Sequence, residues 1–233
     1  MTVEIVSESV MTKQEQAPSP QVALGVDAAI CVLTDPTSLT AEAVRGLRTQ
    51  IVARHVDQGR RALAMIAPSA GVGLTTLTIN LAITLAQSGL RTLLIDANLR
   101  QPGITEALGL TGNAGLAGLL DSGSGAAGGL VIDDVIPGLS ILPAGNPPAS
   151  SHELLAGPHF RHFVRGMMRE YDLTLFDTSP ANESPDALAV ANAAGYAVLV
   201  SRRDYSYARD VKTLYEQLSN SGSVVIGTVL NGF

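Results

Sequence analysis

Ala67-Pro68-Ser69-Ala70-Gly71-Val72-Gly73-Leu74-Thr75-Thr76 is the stretch whose reading decides the fold. An apolar run, Ala62 to Ile66, enters it and reads as a short buried strand. An apolar-periodic segment, Leu77 to Gln87, leaves it and reads as a helix. Strand, glycine turn and helix are the setting of a phosphate-binding loop. Glycines let backbone N–H groups curl toward an anion, and the helix N-terminus adds its positive dipole end. Against the spacing G-x-x-x-x-G-K-[S/T], Gly73 takes the second glycine position and Thr75 the magnesium-binding hydroxyl position. Pro68 stands at the first glycine and Leu74 at the lysine. That lysine normally reaches the β- and γ-phosphates. Losing such a donor at a reacting centre costs roughly 3–4 kcal/mol, about a hundred- to thousandfold in rate. The alternative is that Ser69 to Thr76 is only a tight strand-to-helix turn.

Outward from the loop, Leu93-Leu94-Ile95 reads as a buried parallel strand with Asp96 at its C-terminal end, where open α/β sheets place ligands. Asp96 there can hold Mg²⁺, orient a nucleophile, or simply cap the next turn. Leu173 to Phe176 is a third apolar strand and ends in Asp177, the position of a magnesium-holding aspartate in phosphate-loop proteins. Each aspartate alone is a common turn residue; three strand ends at Gly71–Thr75, Asp96 and Asp177 form a constellation. Strands are also expected within 136–145, flanked by turns, and at 195–200 and 224–231, and helices at 41–55, 114–120, 151–170, from Asp186, and at 211–218. The alternation predicts an α/β fold: a mainly parallel sheet with helices on both faces, of the P-loop NTPase type.

In the helix from Ala41, Glu42, Arg45 and Arg48 fall at three-residue spacing near one face. They are either a solvated charged stripe or a subunit contact. Ser38 or Thr40 is the expected cap. Residues 1–27 are polar, with Gln14 to Pro20 at their centre, and read as a tail with an edge-pairing segment at Val3–Val6; residues 28–233 are the domain.

The chain has 233 residues, 46% apolar, with a net charge of −6. That acidity argues against sequence-independent nucleic-acid binding. A single cysteine, Cys31, excludes an intrachain disulfide, and its strand-like neighbours make it a core hydrophobe. His152, His159 and His162 lack partners at metal-ligand spacing and read as surface residues. No apolar stretch approaches the ~18 residues of a membrane span, and no basic-then-apolar leader opens the chain, so a cytoplasmic protein is expected.

These residues resemble the bacterial tyrosine kinases, a MinD/ParA-like branch of phosphate-loop ATPases that works in capsule and exopolysaccharide synthesis. The resemblance runs from about Cys31 to Asn231. Ser38–Ile51 looks like the family's subunit-contact segment, Gly71–Thr76 like its Walker A loop followed by Asn80, Leu94–Arg100 like Walker A′, and Leu175–Pro180 like Walker B. Leu139 to Gly145, with Pro148 and Glu153 to Leu155, is similar to the stretch between the last two. The resemblance implies ATP or ADP with Mg²⁺, nucleotide contacts from Gly71, Val72, Gly73, Leu74, Thr75 and Thr76, and magnesium at Thr75, Asp96 and Asp177. It implies a catalytic Asp96 if the chain is active, and a homo-oligomer through Glu42, Arg45 and Arg48. It also implies a partner in a membrane polysaccharide co-polymerase or chain-length regulator, reached at the inner face of the membrane. Four departures stand out: Leu74 for the lysine, Asn98 for the second acid of Asp-x-Asp, Ser150-Ser151 for Asn-Pro, and no tyrosine-rich tail after Asn231-Gly232-Phe233. Without fused membrane helices the chain is similar to the family's separate cytoplasmic form. A pseudokinase acting as regulatory or binding subunit is the expectation. The alternatives are a working autokinase or ATPase with a substitute base such as Arg100, and a MinD/ParA-like positioning ATPase.

Overall fold

The computed structural model describes residues 25–112, 114–123 and 129–232. The expected tail and its Val3–Val6 segment lie outside them, apart from residues 25–27, where the Asp27 N–H donates to the Ala107 carbonyl at 2.9 Å.

Seven strands form one sheet: β1 (Ala62–Ile66), β2 (Thr92–Asp96), β3 (Ile132–Ile136), β4 (Leu139–Leu142), β5 (Leu173–Asp177), β6 (Tyr196–Arg202) and β7 (Val224–Asn231), in the order β3-β4-β2-β5-β1-β6-β7. All neighbours pair in parallel except β3 with β4. The helices are α1 (Cys31–Thr34), α2 (Leu39–Arg54), α3 (Leu74–Gln87), α4 (Ile104–Ala107), α5 (Leu116–Ser122), α6 (Ser151–Ala156), α7 (Pro158–Glu170), α8 (Asp186–Ala194) and α9 (Ala208–Asn220).

Strand periodicity sorts the core into two layers. Leu63 and Met65 of β1 join the apolar cluster that holds Val44 of α2 and Ile79 and Ile83 of α3. Ala62, Ala64 and Ile66 join the opposite cluster, with Phe160 and Val164 of α7 and Val190 of α8. The central strands are apolar on both faces because both are covered. The expected doubly covered parallel sheet is the one observed.

Three local expectations need correction. Cys31 lies not in a strand-like context but in the one-turn α1, where it is partly buried against the core layer as expected, its thiol donating to Asn80 Oδ1 at 3.4 Å. β3 went unread because Asp133 and Asp134 interrupt its apolar pattern; it is an edge strand with both carboxylates outward. β6 runs through Arg202, two residues into the polar stretch that read as a loop. Ser38, rather than Thr40, caps α2, its hydroxyl accepting from the Ala41 N–H at 3.2 Å.

Candidate functional site

Because β1, β2, β5, β6 and β7 are parallel, their C-terminal ends meet along one edge of the sheet. The loop after β1 turns twice through the left-handed region, at Gly71 (φ 73°) and Gly73 (φ 77°), which glycine adopts at no steric cost. Gly73 then leads into Leu74, the first residue of α3. The loop is tied down on several sides. Ala181 and Asn182 donate their N–H groups to the Ala67 and Pro68 carbonyls, at 3.0 and 3.1 Å. Arg202 Nη1 donates to the Gly71 carbonyl at 2.9 Å, and Asn231 Nδ2 to the Val72 carbonyl at 2.8 Å. Within this frame lies a cleft of about 310 Å³, lined by Ser69 to Thr76 with Asn98, Gln101, Thr178 and Pro180. A larger cleft of about 480 Å³ is lined by Cys31 and Thr34 of α1 with Ser38 and Thr40, and shares Gly73 and Thr76 with the first.

Leu74 lines the cleft but is only 8% exposed and belongs to the apolar core layer on the α3 face. Its side chain packs into that layer and offers the cleft no charge or donor. Among the described residues no lysine or arginine lines the cleft. Arg100, the candidate substitute, is engaged elsewhere. Its Nε donates to Asp186 Oδ2 at 2.9 Å, an oxygen that also accepts from the Ser151 hydroxyl at 2.6 Å.

The three strand ends do come together. Thr75 Oγ1 donates to Asp177 Oδ2 at 2.7 Å and Thr78 Oγ1 to Asp177 Oδ1 at 3.2 Å. Asp96 and Asp177 are paired in register across β2 and β5, and both are fully buried. Burial pushes both carboxyls above their ordinary range, and the Asp96 charge pushes Asp177 further. Asp96 is meanwhile occupied by its own loop: Oδ1 accepts from the Asn98 N–H, and Oδ2 from the Gly103 and Ile104 N–H groups, all at 3.1 Å. In this state it caps the turn before α4. Two buried carboxylates beside hydroxyls make an all-oxygen donor set that suits Mg²⁺, and a bound cation would relieve their repulsion.

Glu42 and Arg45 pair within α2 at 3.0 Å, and Arg45 also reaches the Pro36 carbonyl. Arg48 lies on the same helix, half-buried. His152, His159 and His162 are exposed, and no cluster of three metal-ligating side chains occurs among the described residues. No helix among the described residues is long and apolar enough to cross a membrane. Arg202 and Asn231 were not singled out from sequence: they sit in no phosphate-loop motif, and 131 and 159 residues separate them from the carbonyls they hold.

A glycine-turned loop between a parallel strand and a helix, with aspartates ending two neighbouring strands, defines a phosphate-loop NTPase of the α/β class. The family model described as AAA domain matches residues 60–221. Tyrosine-protein kinase YwqD of Bacillus subtilis is 30% identical over 203 residues, covering 87% of this chain and 85% of its own length. The kinase domain of the Escherichia coli tyrosine kinase ETK superposes with a TM-score of 0.82 at 25% identity, over 94% of this chain and 83% of that one. The chain belongs to the bacterial tyrosine kinase family. It spans about a quarter of the length of the longer curated relatives, 26% and 27% in two of them. A MinD of Pyrococcus horikoshii, complexed with Mg-ADP, shares the fold alone, at a TM-score of 0.61 and 21% identity over 73% of this chain.

Proposed function

We propose that this chain is a pseudokinase of its family, a nucleotide-responsive regulatory or binding subunit in exopolysaccharide or capsule production. It works at the inner face of the membrane through a polysaccharide co-polymerase or chain-length regulator, and assembles with copies of itself through Glu42, Arg45 and Arg48. Gly71 to Thr76 cradle the phosphates of ATP or ADP, with Mg²⁺ at Thr75 and Asp177. The observation that carries this reading is Leu74, a core-packed aliphatic side chain at the sequence position of the phosphate-binding lysine. Without that charge the cradle binds nucleotide weakly, and charge developing in phosphoryl transfer goes unopposed. Purified protein incubated with Mg-ATP is expected to yield no phosphotyrosine by immunoblot or mass spectrometry. Its appearance, and its loss in Asp96→Ala, would overturn the proposal in favour of a working kinase. The 2.7 Å Thr75–Asp177 hydrogen bond is the feature that favours that second reading, since it keeps the metal-binding oxygens assembled.

A further inference from the structure

A trans peptide is planar, so its C=O and N–H point in opposite directions. Whatever fixes the carbonyl of one residue therefore aims the N–H of the next. In the loop after β1 two successive carbonyls are held this way. Arg202 Nη1 takes Gly71 O at 2.9 Å and Asn231 Nδ2 takes Val72 O at 2.8 Å. The following N–H groups, those of Val72 and Gly73, donate to no acceptor among the described residues. Both residues line the phosphate cleft.

The two holding side chains are themselves fixed. Arg202 and Asn231 are in-register partners at the ends of β6 and β7. The Arg202 guanidinium lies over the Tyr205 ring, 5.4 Å from its centroid, and its backbone N–H is taken by Ser206 Oγ at 2.9 Å. Asn231 is 5% exposed.

We infer that Arg202 and Asn231 are positioning residues of the phosphate site: holding the Gly71 and Val72 carbonyls from behind, they turn the Val72 and Gly73 N–H groups toward a polyphosphate anion. The inference rests on reading the loop as a nucleotide cradle. It assigns the grip on the ligand to backbone donors rather than to a side-chain cation, in a loop whose lysine position is leucine. Successive N–H groups converging on one point form an anion-binding concavity without any charged side chain.

The test uses ¹⁵N relaxation on the whole chain, together with calorimetric titration of Mg-ADP into the Leu74→Lys chain, where affinity is easiest to read. Arg202→Ala is expected to drop the order parameters of Val72 and Gly73 from about 0.85 toward 0.6 or below, with Leu63 and Leu175 unchanged. The same substitution in the Leu74→Lys background is expected to weaken Mg-ADP about fivefold, the worth of one hydrogen bond. Arg202→Lys, which restores one donor, recovers part of both, and Asn231→Ala repeats the effect at Gly73. Should the buried Asn231 variant fail to fold, the half-buried Arg202 pair carries the test. Unchanged order at Val72 and Gly73 in Arg202→Ala overturns the inference. If those amides loosen while neither the native nor the Leu74→Lys chain binds Mg-ADP, the brace stands and the nucleotide reading falls.

Discussion

Restoring the cation at position 74 separates a damaged cradle from one that merely lacks a charge. Leu74 is 8% exposed, so Leu74→Lys gives up most of a buried leucine. Full burial of such a side chain stabilises by ~1.5–3 kcal/mol, and the lysine stem recovers part of it while its ammonium reaches the cleft. The net loss is about 1–2 kcal/mol, which lowers Tm by about 2–8 °C in a domain of this size. On the ligand side, a charge-assisted hydrogen bond to a phosphate oxygen is worth ~1.5–3 kcal/mol, or about 10- to 150-fold in affinity. Calorimetric titration with Mg-ADP and Mg-ATP reads the second effect and differential scanning fluorimetry the first. Leu74→Met serves as the neutral control, since it conserves volume and adds no charge. The expected pattern is a less stable protein that binds nucleotide at least tenfold more tightly. Low-micromolar binding by the native chain, unchanged in Leu74→Lys, would refute the argument that the missing cation limits this site.

The remaining predictions concern parts that act separately. His55 is fully buried, with Nε2 bonded to the Ala62 carbonyl at 3.0 Å, and burial pulls its pKa down to about 4. The unfolded chain takes up that proton near 6.5, so His55 contributes stability that is complete above pH 6.5 and lost as pH falls toward 4, about 3 kcal/mol in all. Chemical denaturation across that window measures it, and His55→Gln flattens the slope. Asp177→Asn replaces a carboxyl that burial and the Asp96 charge raise to about 8. Without divalent ions it is expected to raise Tm, by a gain that grows as pH climbs toward that value and is complete beyond it, where the native group must ionise in place. It is also expected to abolish any Mg²⁺ dependence of nucleotide affinity. Asn80→Ala cuts the side chain that bonds Val32 N–H, Cys31 Sγ and the Ala29 and Thr76 carbonyls; about 2–4 kcal/mol is lost, with fast amide exchange at Val32. Glu42→Ala breaks only an exposed pair, so monomer stability shifts by less than about 1 kcal/mol, while size-exclusion profiles move toward smaller species if the charged stripe joins subunits.

The elements that organise the sheet were legible because they answer to local rules. The strands β1, β2 and β5 are short apolar runs, and only a doubly covered parallel sheet gives such runs a place. The Gly71–Thr76 turn was readable from its glycines, and Asp96 and Asp177 from their places at strand ends. What escaped was whatever depended on a distant partner. β3 is held by β4 despite its two aspartates. The context of Cys31 was misread as strand-like because the turn it occupies is fixed by Asn80, 49 residues away. Arg202 and Asn231 belong to the site through contacts with loop carbonyls, and a carbonyl carries no side-chain signal. Arg100 fell within a motif yet is drawn away by Asp186, which became visible only when α6 and α8 were in place.

Asp96 and Asp177 bear differently on what such a site can do, although both are buried and end neighbouring strands. The hydrogen bonds to Asp177 come from the Thr75 and Thr78 hydroxyls, which rotate and can surrender their carboxylate oxygens to a cation at little cost. Those to Asp96 come from the backbone of Asn98, Gly103 and Ile104, so freeing that carboxylate requires the 98–104 segment to move. Under the proposed reading binding and chemistry are separable: metal and nucleotide would settle on Thr75 and Asp177 while Asp96 stays locked as a cap. Hydrogen exchange distinguishes the two states. With saturating Mg-ADP, the Gly103 and Ile104 amides are expected to stay as protected as in the ligand-free protein, while Leu74 and Thr75 gain protection. If Mg-ATP instead releases Gly103 and Ile104, Asp96 is being freed for a nucleophile, and a purely binding role for this cradle could not be maintained.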